Sequence, residues 1–291
     1  MVDSERISKS DPALGVGQLS TLAIVLEVTA PKPGNVHRSA DFEDVTLTDF
    51  LAAAVAVGPI LEQAAEAGVG AVVLAAVEAT HHVAGTNTNL GTLLLLGPLA
   101  AVPADKTLCG GISEVLGGLT SIDSRNVYEA IVRANPGGIQ RVSELDVRAE
   151  APAELLQAMQ AAAERDLVAR QYVNGFSQVF QVSKWISNSR REFGSLTEAV
   201  VHSHVRLMAE YPDSLIARKC GTELATEAAA RAARVLAAGA PGDPTYFDAL
   251  EDLDFWLRSE DHRRNPGTTA DLIAAGLYAG LREQHIQPPF D

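Results

Sequence analysis

Four short stretches hold residues that could bind and transform a phosphorylated ligand: 32–37, 86–91, 213–221 and 265–271. In Glu27-Val-Thr-Ala-Pro-Lys-Pro-Gly-Asn-Val-His-Arg38, Pro31 and Pro33 restrict the backbone around Lys32, and Gly34 permits close approach of a ligand. Lys32, His37 and Arg38, with Asn35 among them, bring positive charge within reach of a phosphate. The bland alternative is a rigid turn with solvated cations. In Glu78-Ala-Thr-His-His-Val-Ala-Gly-Thr-Asn-Thr-Asn-Leu-Gly91, His81 and His82 follow Glu78 at helical spacing, which is compatible with a metal, although adjacent histidines mostly point different ways. Thr86, Asn87 and Asn89 then precede an apolar run, as anion contacts at a helix N-terminus or as plain caps.

The third stretch, Tyr211-Pro-Asp-Ser-Leu-Ile-Ala-Arg-Lys-Cys-Gly221, sets Asp213 ahead of Arg218 and Lys219. The carboxylate could hold Mg2+ while the cations meet phosphates, or it could cap a helix. The fourth, His262-Arg-Arg-Asn-Pro-Gly-Thr-Thr-Ala-Asp-Leu272, opens the last helix with Gly267, Thr268 and Thr269 and carries Asp271 in its first turn. N–H donors, hydroxyls, a carboxylate and upstream arginines suit an anion or a metal ion, though an acid also stands there for dipole reasons alone. No Walker A loop, no GxGxxG after a strand and no GxSxG occurs, so a nucleotide would rest on an unusual helical scaffold.

The elements that position these loops read as helices. Leu19, Leu22, Ala23 and Leu26 recur at three- and four-residue steps. Further helical runs are expected at 46–67 (kinked or split at Gly58-Pro59), 69–82, 89–96, 124–133, 152–173, 175–186, 195–211, 222–238, 244–257 and 268–282. No period-2 alternation of strand length is present. The expectation is an all-α fold, a single multi-helical domain of ten or more helices over 1–291, with a polar connection at 137–153 as a lobe boundary.

Composition narrows the partners. Lys plus Arg number 23 against 37 Asp plus Glu, a net charge of −14, which disfavours nucleic acid but leaves room for a nucleotide held by local cations. Mean hydropathy is +0.07. Aromatics are only 5%, and small apolar side chains suit packed helices. Cys109 and Cys220 match no metal spacing and read as reduced thiols. The first residues are charged and lack an apolar signal core, and the longest apolar run, 90–103, carries two prolines and is too short for a bilayer. The chain reads as soluble and cytoplasmic, with small-molecule nucleotide partners and no membrane; oligomeric state is not readable.

Taken in order, the four loops resemble the triphosphoribosyl-dephospho-CoA synthase family, which includes malonate-decarboxylase counterparts. Lys32-Pro-Gly-Asn-Val36 is similar to its Lys-Pro-Gly element, and Thr86-Asn-Thr-Asn-Leu-Gly91 to Asn-Thr-His-Lys-Gly. Asp213-Ser-Leu-Ile-Ala-Arg218 resembles Asp-Thr-Asn…Arg, and Asn265-Pro-Gly-Thr-Thr-Ala-Asp-Leu272 resembles Ser-Pro-Gly-Gly-Ser-Ala-Asp-Leu. The resemblance implies an all-α enzyme that moves the triphosphoribosyl group of ATP to the 2′-hydroxyl of dephospho-CoA and releases adenine, with Mg2+. It implies phosphate contacts for Lys32, Arg218 and Lys219, and metal or acid–base roles for Asp213 and Asp271, with Glu27 and Glu78 as second choices. Asn87 and Asn89 would orient the nucleotide, beside Asn35, His37, Thr86, Gly267 and Thr268. Two departures stand out: Asn89-Leu90 where the family carries His-Lys, and 167–176 in place of Ala-Arg-Gly-Glu-Ala. They keep open a related tetrahydromethanopterin or one-carbon enzyme, and a non-catalytic helical nucleotide-binding protein.

Overall fold

A computed structural model describes residues 14–86, 88–135 and 154–290. These residues form helices and no named strand. In chain order the helices are α1 (Val16–Thr29), α2 (Leu47–Leu61), α3 (Ala64–Ala67), α4 (Val69–Ala84), α5 (Leu90–Ala100), α6 (Leu108–Gly117), α7 (Ser121–Ala134) and α8 (Leu155–Ala162). They continue with α9 (Leu167–Asn174), α10 (Ser177–Phe193), α11 (Leu196–Glu210), α12 (Ser214–Cys220), α13 (Thr222–Ala238), α14 (Pro244–Arg258) and α15 (Gly267–Arg282). The all-α expectation holds; the proposed lobe boundary at 137–153 lies outside the described residues.

Local chemistry sets the boundaries. Thr46 and Thr120 each form a capping box with the Asp three residues on, which fixes the starts of α2 and α7. Asp123 also accepts the Gly70 N–H at 2.8 Å, tying α7 to α4. The run expected as one helix over 46–67 breaks after Leu61 rather than at Gly58-Pro59, where Glu62 turns to accept the Gly17 N–H of α1. The run 152–173 likewise divides, because Asp166 accepts the Val168 and Ala169 N–H groups and starts α9 anew. Helices α6 and α12 were not anticipated as elements; both are short, and short runs give little periodicity to read.

Two helices form the buried axis. Every residue of α5 except Gly91 is buried, and so is the run from Leu272 to Leu281 in α15. Helix α15 packs on α1, α5, α10, α11 and α12. The main apolar cluster surrounds this axis, and a smaller one joins α11, α12, α13 and α14 through residues such as Met208, Ile216, Ala228, Tyr246 and Leu257. The polar starts of α5, α12 and α15 face a common space, which sets the site.

Candidate active site

That space is a cavity of about 630 Å³, within the usual range for a small-molecule site. Its wall takes in Glu27 at the end of α1, Asn35, the residues around the start of α5, the starts of α12 and α15, and the α8–α9 turn. Of the residues singled out from sequence, Glu27, Asn35, Asn89, Arg218, Lys219, Gly267, Thr268 and Asp271 meet on it. They span 244 positions of sequence between Glu27 and Asp271, so helix packing alone brings them together.

One side of the cavity is acidic. Lys32 is wholly buried, and its Nζ lies 3.0 Å from Glu27 Oε1 while donating to the Glu27 and Ala30 carbonyls. Two carbonyls accept from the ammonium, and the carboxylate oxygen beside it pairs by charge with no hydrogen bond of its own. Burial pushes the Glu27 carboxyl up and the Lys32 amine down, and the ion pair opposes both. Asp271 has no such cation. Burial raises its carboxyl to about 8; the Thr92 hydroxyl, donating at 2.7 Å, lowers it, and the charges of Glu27 and Asp213 raise it further. Gly91 makes this approach possible, since a Cβ there would stand 2.0 Å from Asp271 Oδ2.

The other side is cationic. Arg218 Nη1 donates to Asp166 Oδ2 at 3.2 Å, and Lys219 Nζ donates to Asn265 Oδ1 at 2.9 Å. Arg165 joins them on the wall and is exposed. Burial, then the Arg218 charge, lowers the Lys219 amine. Ser214 Oγ donates to Thr268 Oγ1 at 3.1 Å and accepts the Leu167 N–H at 3.3 Å, locking α12, α15 and α9 around the same corner.

Several polar atoms of the wall lack partners among the described residues. Asn35 Nδ2, Thr88 Oγ1 and Asn89 Nδ2 are all buried and unbonded. Asn89 Oδ1 accepts only from Thr80, at 3.3 Å, and Asn89 does not cap α5. Buried donors are nearly always satisfied, so these atoms are available to water or to a polar ligand in the cavity.

Other expected residues take different places. Lys32 is off the cavity wall and supports Glu27 rather than reaching a phosphate. His37 also stands off the wall, and burial, with Arg258 second, lowers its imidazole to about 4, so it brings no charge at neutral pH. Asp213 is completely buried, and Leu215 N, Ile216 N, Thr269 N and Thr269 Oγ1 donate to it at 2.7–3.0 Å. With four donors it has no lone pair left for a metal and latches α12 to α15 instead. Glu78 is half-exposed on α4 and pairs with Arg133 of α7, away from the cavity. Thr86 lines a separate small recess with Thr80 and His81. Asn87 lies outside the described residues. Among the described residues no group of three His, Cys, Asp or Glu side chains could hold a metal ion. Glu27, Asp213 and Asp271 do not gather into such a group, and Asp213 is engaged by its four donors.

The wall also holds Phe42, Asp44, Arg165, Asp166 and His262, which the sequence reading passed over. Asp166 carries a legible signal: an acid two and three residues before helical N–H groups. Phe42 and Asp44 sit in a loop with no helical periodicity, and only tertiary structure brings them to the site. The Lys-Pro-Gly loop itself is held from afar. Gly34, at φ +75°, donates its N–H to Asp254 Oδ1 at 2.7 Å, and Arg258 donates to the Asn35 carbonyl, both from α14.

Helices alone close on a cavity with carboxylates at one side and cations at the other, and the family that matches this chain is one of transferases. The chain belongs to the ATP:dephospho-CoA triphosphoribosyl transferase family, CitG, whose model matches residues 13–290. A crystal structure from Archaeoglobus fulgidus, provisionally described as a triphosphoribosyl-dephospho-CoA synthase, matches with a TM-score of 0.62 and 28% identity over 80% of this chain and 98% of its own. No curated protein sequence matches the chain. Among the described residues no helix is long and apolar enough to cross a membrane.

Proposed function

We propose that this chain transfers the triphosphoribosyl group of ATP to a hydroxyl of dephospho-CoA and releases adenine, with Asp271 and Glu27 as acid and base. The observation that carries the reading is the pair of cavity carboxylates in unlike surroundings. Glu27 has the Lys32 ammonium at 3.0 Å, which opposes the upward push of burial on its carboxyl; Asp271 has a neutral hydroxyl and keeps its proton up to about pH 8. Carboxyls whose environments hold them in different protonation states divide acid from base work.

In this reading the C1′–N9 bond of ATP breaks as the acceptor oxygen bonds to C1′. The Asp271 proton goes to the departing adenine, and the acceptor hydroxyl gives its proton to the Glu27 carboxylate. Glu27 also lends negative charge to the oxocarbenium-like ring. Lys32 favours the ionised form of Glu27 against the push of burial. Arg165, Arg218 and Lys219 hold the triphosphate, and Asn35, Thr88 and Asn89 direct their unbonded atoms to sugar or base. Among the described residues no three side chains gather to hold Mg2+, and none of these steps runs through it; ATP would bring the ion on its own phosphates and water.

The test is incubation with ATP, Mg2+ and dephospho-CoA, reading free adenine by chromatography. Adenine formed only when dephospho-CoA is present supports the transfer. ATP binding with no adenine from any acceptor would sink it and favour a nucleotide-binding protein.

A further inference from the structure

Phe42 and His262, far apart in sequence, meet face to face at the edge of the cavity. Their ring centroids are 4.3 Å apart and their planes differ by 11°. Both rings belong to the cavity wall and are partly open to solvent. Asp44 Oδ1 lies 3.4 Å from His262 Nε2, with most of its side chain exposed. The pair therefore forms a part of the wall that is open to solvent.

Both rings are held in place. The Phe42 N–H donates to the Val45 carbonyl at 3.0 Å, residues 37 and 40 pair as an isolated bridge, and Arg258 lies 5.7 Å from the Phe42 ring centre. His262 ends a run of three non-glycine residues at positive φ: Glu260 at 64°, Asp261 at 55° and His262 at 47°. Such a backbone persists only where its surroundings impose it, and it gathers at ligand sites. Buried Arg264 imposes it here, donating to the Trp256 carbonyl, Ser259 Oγ and Glu260 Oε1 while stacking on the Trp256 ring.

We infer that His262, its ring backed by Phe42, binds the adenine base of a nucleotide substrate by stacking on its outward face. This rests on the proposed two-nucleotide reaction. A cavity of about 630 Å³ is of the size that encloses one ligand, so part of a second nucleotide must extend to the edge. The acidic and cationic walls suit ribose and phosphate, whereas a purine is recognised by an aromatic face, a contact tolerant of base edges. The same chemistry could receive the base of ATP or the base of dephospho-CoA, and kinetics distinguishes them.

The experiment compares wild type, His262→Leu and His262→Phe for adenine release, and measures ATP and inorganic tripolyphosphate binding by calorimetry. His262→Leu keeps bulk and removes the π face. It should raise KM for one nucleotide about tenfold and leave kcat and tripolyphosphate affinity near wild type, with His262→Phe restoring KM. A rise in KM for ATP assigns the platform to the donor base, and a rise for dephospho-CoA assigns it to the acceptor base. Unchanged KM for both nucleotides overturns the inference. So does an equal loss of tripolyphosphate affinity, which would mean a disturbed wall rather than a lost stack. If wild type forms no adenine, ATP and dephospho-CoA binding to the same variants decides the stack separately, so the two readings fail independently.

Discussion

Asp213 and Asp271 lie on either side of the first turn of α15, and burial raises the carboxyl of each. They differ in what surrounds them. Asp213 receives four N–H and O–H donors that join two helix starts, and the cavity does not reach it. Asp271 borders the cavity beside Thr92, close against Gly91. A fully donated carboxylate is architecture, because accepting a proton or a metal would break bonds that hold the fold. A carboxyl with spare capacity facing a cavity is free to do chemistry.

The comparison breaks or sharpens under substitution. Asp271→Asn keeps the shape and removes the proton; adenine release per folded molecule should fall at least about a hundredfold, read by initial rates, with the urea midpoint little changed. Asp213→Asn turns an amide NH2 toward donors and should cost about 2 kcal/mol, measured by urea unfolding, while the folded fraction retains its rate. A normal midpoint with a lost rate in Asp213→Asn would reverse the two roles. A pH series comes next. The Asp271 carboxyl holds its proton to about 8 in the fold and loses it near about 4 when unfolded. Between these limits the folded chain binds more protons. Its contribution to stability is complete below about pH 4 and declines as pH rises through about 8. The rate should hold up to that point and decline as pH rises through about 8, where folded Asp271 loses its proton, and Asp271→Asn should flatten both profiles. The smallest effect is expected for Glu78→Ala, which removes an exposed ion pair with Arg133: at most about 0.5 kcal/mol, with adenine release unchanged.

The sequence carries the helical architecture through its three- and four-residue apolar steps, and the gathering of loops through their order. Half of the site follows from that, because loops at the starts of α5, α12 and α15 converge once the helices pack. What does not follow is burial. Lys32 and Glu27 look like two solvated charges five residues apart, yet they are a sequestered pair. Asp213 and Asp271 look equivalent as acids near helix starts, and only the donors reaching them across 56 residues of chain, from Thr269 to Asp213, separate them. Phe42 and His262 carry no periodic or motif signal, since their meaning lies in a contact between distant segments.

The grip of α14 on the Lys-Pro-Gly loop has a consequence for how the protein fails. Asp254 and Arg258 grasp that loop from a helix whose apolar side closes the smaller cluster and meets the main one only through Leu250. Subglobal opening of α13 and α14 requires less free energy than complete unfolding. It would release the loop beside Glu27 while the α5–α15 axis stayed intact. On warming, catalysis should therefore fade before helical circular dichroism does, and bound nucleotide should slow amide exchange along α14, a helix whose hold on the cavity passes through that loop.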